Sequence, residues 1–180
     1  MNLSEKILES EYLYNGKILN LRKDRVTLPN GKTATREIVE LTGAAAIMPI
    51  TEDNEIIFVR QYRCPFSEIL LEIPAGKIDE GESPDICAER ELREETGAVA
   101  KNIEKLGVIY PSPGCLKEKL HLFVATGLEF TNLSLDSDEF LEVLKIPYKK
   151  ALQMVTGGEI VDGKTVAAIL LYNQKLTAKE

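Results

Sequence analysis

The chain has 180 residues, 44% of them hydrophobic, and a formal net charge of −7 at pH 7. This length and composition allow one substantial core, and no linker rich in Pro, Gly or Ser divides the chain. The acidic balance argues against a basic nucleic-acid surface, because counterion release at phosphates needs clustered Lys and Arg and the sequence has no such cluster. No apolar stretch reaches the roughly 18 residues of a membrane span.

The N-terminus lacks the basic start and apolar run of a secretory signal. Cys64, Cys87 and Cys115 are odd in number and too scattered for a zinc motif, which fits reduced thiols. We therefore expect a cytoplasmic protein that binds neither nucleic acid nor a membrane.

The first predicted elements are antiparallel strands. Residues 10–41 alternate apolar and polar side chains in two arms around Asn30 and Gly31, and Asn-Gly between such arms indicates a hairpin. The sequence therefore predicts a subregion of N-terminal strands over residues 1–41, followed by the main domain over residues 42–180.

The next predicted element is a second hairpin with buried strands. Apolar runs at 43–50 and 55–63 flank a polar turn at 51–54. A short strand at 70–73 then leads into a Pro-Ala-Gly turn, and a helix is predicted over 84–96.

The remaining chain continues the alternation of strands and helices. We predict strands at 103–110, 120–125 and 140–146, a long polar loop at 127–139, and helices at 147–156 and 164–175. Strands outnumber helices and the connections include hairpins, so the fold class is α/β, with a mixed sheet packed between helices.

The helix predicted over 84–96 is acidic, and Gly97 ends it. Glu91, Glu94 and Glu95 stand at i, i+3 and i+4 on one side, where each pair of like charges costs a few tenths of a kcal/mol. Mg²⁺ or Mn²⁺, with carboxylate and water ligands, is the natural partner for such a set. The alternative is an exposed acidic face that only aids solubility.

The spacing around this helix favours the metal-binding interpretation. Residues 76–98 read GKIDEGESPDICAERELREETGA, which is G, five residues, E, seven residues, then R-E-U-x-E-E-x-G-U. This pattern resembles the signature of the Nudix hydrolases at every fixed position except the last, where Ala98 is smaller than usual. The resemblance implies a Nudix-type α/β/α sandwich with N-terminal antiparallel strands, and an enzyme that hydrolyses phosphoanhydrides.

The resemblance also implies roles for the acidic residues. Glu91 and Glu95 match direct ligands of a divalent metal, and the backbone carbonyl of Ala75 matches a further ligand. Glu94 matches a ligand or an outer-shell partner, and is also a candidate catalytic residue.

Other residues of the signature match positions that hold the loop against the helix or contact the substrate. Arg90 and Glu82 match a pair that braces the loop against the helix through a charge-assisted bond. Gly97 matches the glycine at the helix end. Glu82 and Gly76 are also counted among the candidate substrate contacts.

Further motifs are similar to the ADP-ribose pyrophosphatase branch of this family. They are VRQYR (59–63), LLEIPAGKID (70–79), the Ser-Pro-Gly turn around Pro113, DEFLEV (138–143) and GKTVAAILLY (163–172). The branch implies hydrolysis of ADP-ribose to AMP and ribose 5-phosphate. The open alternatives are GDP-mannose, NADH, diadenosine polyphosphates or a flavin dinucleotide as substrate, and a domain that senses ADP-ribose without cleaving it.

Two candidates remain for the glutamate that activates water. Glu139 matches the position on the long loop that carries this role in the branch, and Glu118 is the second candidate. Arg63 and Arg36 match residues that contact the diphosphate, a task that suits arginine because its planar fork donates two parallel bonds. Pro113 matches a substrate-side position of the same branch.

The resemblance finally implies a homodimer. Relatives in this branch exchange N-terminal strands, which complete the adenosine pocket of the partner subunit. Residues 1–41 would then be both the dimerisation subregion and a wall of the ligand site.

Overall fold

The structure is a computed structural model that describes residues 2–131 and 140–178. Its strands, in chain order, are β1 (Lys6–Asn15), β2 (Asn20–Thr27), β3 (Thr33–Glu40), β4 (Ala44–Pro49), β5 (Glu55–Arg63), β6 (Glu68–Glu72), β7 (Ala75–Lys77), β8 (Ala98–Ile109), β9 (Leu116–Lys117), β10 (Leu120–Phe130) and β11 (Leu141–Pro147). Its helices are α1 (Pro84–Thr96), α2 (Tyr148–Thr156) and α3 (Gly163–Thr177). Across the described ranges, no helix has the length and apolar character needed to cross a membrane.

The chain divides into two compact units. The first contains the described part of Met1–Gly43 together with Tyr110–Lys119. The second contains Ala44–Ile109 and the described part of Leu120–Glu180.

The first unit is a four-stranded sheet in the order β1-β2-β3-β9. The predicted hairpin is confirmed: β2 and β3 pair antiparallel around Asn30 and Gly31. The turn closes with the Leu28 N–H donating to the Lys32 carbonyl over 2.8 Å, and Gly31 takes the positive φ of +82° that such turns favour. All ten residues of β1 are exposed.

The second unit contains a four-stranded sheet in the order β7-β4-β10-β8 and a three-stranded sheet in the order β11-β5-β6. The larger sheet is mixed, since β10 runs parallel to β4 and antiparallel to β8. Side chains alternate across it. Met48 and Leu122 belong to the core cluster shared with Ile169 of α3, whereas Ile47 and Phe123 belong to the cluster shared with α1. Helices therefore cover both faces, and the fold is the predicted α/β/α sandwich.

The prediction of a second hairpin is wrong. Strands β4 and β5 lie in different sheets; the turn between them has one bridge, Ile50 to Ile56, and the Thr51 N–H donates to the Glu55 carbonyl over 2.9 Å. Strand β4 is buried through most of its length, and β5 is buried from Ile56 to Val59. Apolar runs of this kind lack the alternation that would specify a pairing partner, so the sequence does not encode which strand each one joins.

Further boundaries differ from the prediction, and one is the start of β8 at Ala98, five residues before the predicted start at 103. Strand β10 continues to Phe130, into the segment predicted as a loop from residue 127. The three residues of β7 pair antiparallel with β4 and were not predicted as a strand. This short strand lies beside α1, so it fixes the backbone of the Ala-Gly turn against the acidic helix.

The acidic helix has the predicted bounds, from Pro84 to Thr96. Pro84 occupies the first helical position, where its fixed φ suits a helix and its missing N–H costs nothing. Gly97 ends the helix in the left-handed region, with φ of +69° and its N–H donating to the Arg93 carbonyl. Ser83 holds the N-cap position, but its side chain makes no capping hydrogen bond.

Candidate active site

One stripe of α1 faces the short strand β7. Cys87, Glu91 and Glu95 follow each other at intervals of four residues, so they lie along one side of the helix, and all three are buried. The Cys87 thiol lies 3.4 Å from the Lys77 carbonyl oxygen, to which it donates. Burial raises the pKa of this thiol to about 12, so it is a neutral packing group.

The two buried glutamates contact the Ala-Gly turn directly. The Ala75 N–H donates to Glu95 Oε2 over 3.1 Å. A Cβ atom added to Gly76 would lie 1.8 Å from Glu91 Oε1. A side chain at position 76 would therefore displace the Glu91 carboxylate, and it is this close approach, not a positive φ, that favours glycine here.

Arg90 links the loop to the acidic face of the helix. Its Nε and Nη2 donate to the two carboxylate oxygens of Glu82, each over 2.9 Å. Its Nη1 donates to Glu91 over 2.7 Å and to Glu94 over 3.0 Å, and Nη2 also donates to the Lys77 carbonyl. The Arg90 hydrogen bonds lower the pKa of Glu82 to about 2, and those to Glu82 are the main cause of the raised pKa of Arg90.

These side chains carry more negative than positive charge. Within this set, Glu82, Glu91, Glu94 and Glu95 supply four carboxylates and Arg90 supplies one guanidinium. Glu91 and Glu95 are 7% and 3% exposed. Buried carboxylates need compensating charge, so the cluster favours a cation.

The donor set fits a small, hard divalent ion. Within the ranges that the structure describes, no three or more Asp, Glu, His or Cys side chains converge as a ready-made metal cage. Mg²⁺ does not require one, because it retains several waters and binds through one or two carboxylates together with substrate phosphates. Carboxylates at Glu91 and Glu95 beside the Ala75 backbone offer that number and kind of oxygen ligand.

A second charged cluster lies at the end of β6, and sequence reasoning did not identify it as a unit. Arg63 Nε and Nη2 donate to the two oxygens of Glu72, each over 2.7 Å. The ammonium of Lys164 also donates to Glu72, and it donates to Asp162 over 3.0 Å. Asp162 in turn caps α3 by accepting from the Thr165 N–H.

Glu72 is the most buried acid of this cluster, with a side chain only 1% exposed. Burial by itself raises the pKa of Glu72, but the Arg63 hydrogen bonds and the Lys164 charge outweigh it and hold the pKa below its usual value. Glu72 raises the pKa of Arg63, and the charges of Glu95 and Asp162 raise it further. Strand β5, on which Arg63 lies, also packs against α1, the acidic helix.

The structure brings seven of the predicted site residues into one cluster: Ala75, Gly76, Glu82, Arg90, Glu91, Glu94 and Glu95. Gly97 ends the helix that carries four of them. Arg63 lies on β5 in the same unit, with its guanidinium paired to Glu72.

The other predicted site residues lie elsewhere in the chain. Arg36 lies on β3 of the first unit, where its Nε donates to Glu5 over 3.0 Å. Pro113 and Glu118 belong to the Tyr110–Lys119 segment of that unit; the former is exposed and the latter half-buried. Glu139 lies outside the described residues.

The missed residues, Glu72 and Lys164, left a signal in the sequence. Glu72 interrupts the apolar run LLEIP, and an acid buried in such a run needs a cationic partner. Its partners Arg63 and Lys164 lie nine residues before it and 92 residues after it, so spacing alone does not reveal them.

Comparison with known proteins identifies the family. A family model described as "NUDIX domain" matches residues 40–169, and one described as "Nucleoside diphosphate sugar hydrolase N-terminal domain" matches residues 5–39. Among solved structures, one titled "Crystal structure of ADP compounds hydrolase" superposes with a TM-score of 0.87, at 24% identity, over 99% of this chain and 98% of the other. That likeness shows the fold.

Three curated relatives align over most of the chain. The ADP-ribose pyrophosphatase of Bacillus subtilis is 42% identical over 93% of this chain and 92% of its own length. The methanol dehydrogenase activator of Bacillus methanolicus is also 42% identical, with coverages of 92% and 90%. The GDP-mannose pyrophosphatase of Salmonella typhimurium is 33% identical, with coverages of 98% and 94%. The chain therefore belongs to the Nudix family, and it is a Nudix pyrophosphatase.

Proposed function

We propose that this enzyme hydrolyses the diphosphate of ADP-ribose in the presence of Mg²⁺ or Mn²⁺. Water attacks phosphorus, one phosphoanhydride bond breaks, and the products are AMP and ribose 5-phosphate. The similarity to the Bacillus subtilis ADP-ribose pyrophosphatase supports this substrate. The observation that carries the proposal is the pair of buried carboxylates, Glu91 and Glu95, that α1 places against the Ala-Gly turn.

Glu91, Glu95 and the Ala75 carbonyl would hold the metal ion, with Glu94 as a further ligand or outer-shell partner. Nudix hydrolases generally use divalent ions, and a bound ion neutralises the clustered charge of a diphosphate that otherwise repels water. Arg90 draws Glu91 and Glu94 together through one nitrogen, so that their like charges do not drive them apart. Its pair with Glu82 fixes the loop that precedes α1 against the helix.

Arg63 is the proposed diphosphate contact in the second unit. Its pair with Glu72 uses Nε and Nη2, so both N–H donors of Nη1 lie outside that pair. Strand β5, which carries Arg63, packs against α1, and this supports a location next to the metal-binding residues. Arg36, Gly76, Glu82 and Pro113 remain proposed substrate contacts from the sequence.

The residue that activates water is proposed to be Glu139, with Glu118 as the second candidate. Replacing each in turn by glutamine separates them, because the general base is expected to account for a loss of about 10²–10⁴-fold in kcat. A loss of that size at Glu118 with full activity at Glu139 would reverse the assignment.

The direct experiment is incubation with ADP-ribose and Mg²⁺, followed by chromatographic detection of AMP. We expect AMP and ribose 5-phosphate in equal amounts from the wild type, and a loss of orders of magnitude in the Glu95→Gln variant with its circular dichroism unchanged. Full activity in that variant would contradict the metal-binding role.

A second substrate class is favoured by one of the comparisons. The relative from Salmonella typhimurium is a GDP-mannose pyrophosphatase, so a GDP-sugar is the first competitor. Values of kcat/KM for ADP-ribose, GDP-mannose, NADH, diadenosine polyphosphate and a flavin dinucleotide decide between them, because this ratio measures discrimination. Binding of ADP-ribose with no release of AMP under either metal would instead indicate a sensing domain.

We also propose a homodimer formed through residues 1–41. Strand β1 carries large exposed apolar side chains, and an exposed strand with such side chains is a site of association. They are Ile7, Leu8, Tyr12, Leu13 and Tyr14. Sedimentation equilibrium is expected to give twice the 20.0 kDa chain mass for the full chain. A monomer at micromolar concentration would contradict this proposal.

A further inference from the structure

The charged cluster at the end of β6 joins three segments that are distant in the sequence. Glu72 contributes its buried carboxylate from β6, Arg63 its guanidinium from β5, and Lys164 its ammonium from the first turn of α3. Asp162 supplies a second carboxylate to Lys164. Two carboxylates thus balance two cations, and the cluster carries no net charge.

A contribution to folding stability does not explain why these charges are buried. An ion pair with a buried acid loses much of its Coulomb energy to desolvation, and apolar groups of similar volume often stabilise a fold equally well. Glu72 and Lys164 are 1% and 12% exposed, so both incur that cost. The cluster does, however, fix the geometry of a third group, because Arg63 is 38% exposed and still held by two bonds.

Hydrogen bonds fix the backbone at the two residues that follow Glu72. The Ile73 N–H donates to Thr165 Oγ1 over 2.9 Å, and the Pro74 carbonyl accepts from the Ile47 N–H over 2.9 Å. Thr165 Oγ1 also donates to Asp162 over 2.6 Å. The Glu72 side chain is therefore attached to a rigid stretch of backbone.

The two bonds to Glu72 set the plane of the Arg63 guanidinium. A side-on pair through Nε and Nη2 is rigid, because both bonds lie in the plane of the guanidinium and of the carboxylate. The pair does not use Nη1. An arginine without this support would have several rotamers available and would lose side-chain entropy on contacting a ligand.

We propose that Glu72 is a positioning residue for diphosphate hydrolysis: it holds the Arg63 guanidinium beside the acidic helix so that Nη1 donates to a substrate phosphate. Lys164 fixes the Glu72 carboxylate from the other side. This inference rests on the proposed function, because it assigns Arg63 to the diphosphate. It adds to that function a residue that does not itself touch the substrate.

The test is a double-mutant cycle on KM and kcat for ADP-ribose. Glu72→Gln keeps the size of the side chain but places an amide group against the donors of Arg63 and Lys164. We expect KM to rise about 10–100-fold, with a smaller change in kcat. In an Arg63→Ala background the same change is expected to alter kcat/KM by no more than about twofold.

Two further variants separate positioning from folding. Glu72→Asp keeps the buried charge and shortens the side chain, so the protein is expected to fold and to show a smaller rise in KM than Glu72→Gln. Glu104→Gln is the control, because Glu104 also pairs with a lysine of α3, Lys175, and has no proposed role at the site. This control is expected to leave KM unchanged.

The outcomes distinguish the two proposals. One set of outcomes assumes that the wild type cleaves ADP-ribose. If the two Glu72 variants then keep the wild-type KM, or if Glu72→Gln raises KM by the same factor in the Arg63→Ala background, the positioning role is wrong and the proposed function stands. If the wild type does not cleave ADP-ribose, the proposed function is wrong, and the cycle is run on the substrate that the panel identifies. If it cleaves none of them, both proposals fail.

Discussion

Replacing Gly76 by alanine tests the close approach of the acidic helix to the Ala-Gly turn. The added Cβ would lie 1.8 Å from Glu91 Oε1 and 2.1 Å from its Cδ. An ordinary contact needs about 3.5 Å, so the carboxylate has to retreat by about 1.7 Å. This movement also takes Glu91 away from its 2.7 Å bond with Arg90.

The expected effect on catalysis is large. Misplacing a functional group by about 1 Å costs on the order of 100-fold in rate, so Gly76→Ala is expected to lose at least that factor in kcat/KM. The loss of a charge-assisted hydrogen bond adds about 1.5–3 kcal/mol of destabilisation. If Glu91 binds metal, the Mg²⁺ concentration that gives half-maximal activity rises as well.

The assay is a Mg²⁺ titration of initial rates with ADP-ribose, combined with urea unfolding. Gly107→Ala is the matched control, because a Cβ there would meet Leu171 at the ordinary distance of 3.6 Å. Wild-type rates and Mg²⁺ dependence in Gly76→Ala would refute the reasoning. A loss of equal size in the control would show that any added methyl group has the same effect.

Three further predictions concern the supporting contacts. Thr165→Val leaves the buried Ile73 N–H without its acceptor, so the free energy of unfolding from urea titration is expected to fall by about 1–3 kcal/mol; no change would contradict the role of that hydroxyl. The pKa of Glu82 is lowered from 4.5 to about 2, so the stability it contributes is present above pH 4.5 and is lost as the pH falls through about 2. Acid denaturation of Glu82→Gln is expected to lack that contribution, and an unchanged acid transition would contradict the pairing with Arg90. Cys87 is buried with its pKa raised to about 12, so a thiol reagent is expected to label the two exposed cysteines in the native protein and the third only after unfolding.

Local signals in the sequence predict the elements that hold the metal-binding residues. The acidic helix has the predicted bounds because Pro84 favours its first turn and Gly97 ends it, and both effects act within a few residues. The N-terminal hairpin was predicted correctly for the same reason, since Asn30 and Gly31 determine the turn by themselves.

Long-range pairing is the part that the sequence does not predict. The apolar runs of β4 and β5 adjoin in the chain, yet the strands lie in different sheets, because burial on both faces leaves no pattern that selects a partner. The contact between Glu72 and Lys164 spans 92 residues and depends on that same sheet arrangement. The sequence shows the motifs that contain these residues, but it does not predict that their side chains contact each other.

Metal binding in the presence of a diphosphate tests the central claim most directly. We propose calorimetric titration of Mn²⁺ into the wild type and the Glu95→Gln variant, each with a methylene analogue of ADP-ribose that cannot be hydrolysed. The claim that these glutamates hold a divalent ion against a diphosphate predicts saturable uptake by the wild type, strengthened by the analogue, and binding at least about 10-fold weaker in the variant. Equal binding by the two proteins, or no uptake by the wild type, would contradict it.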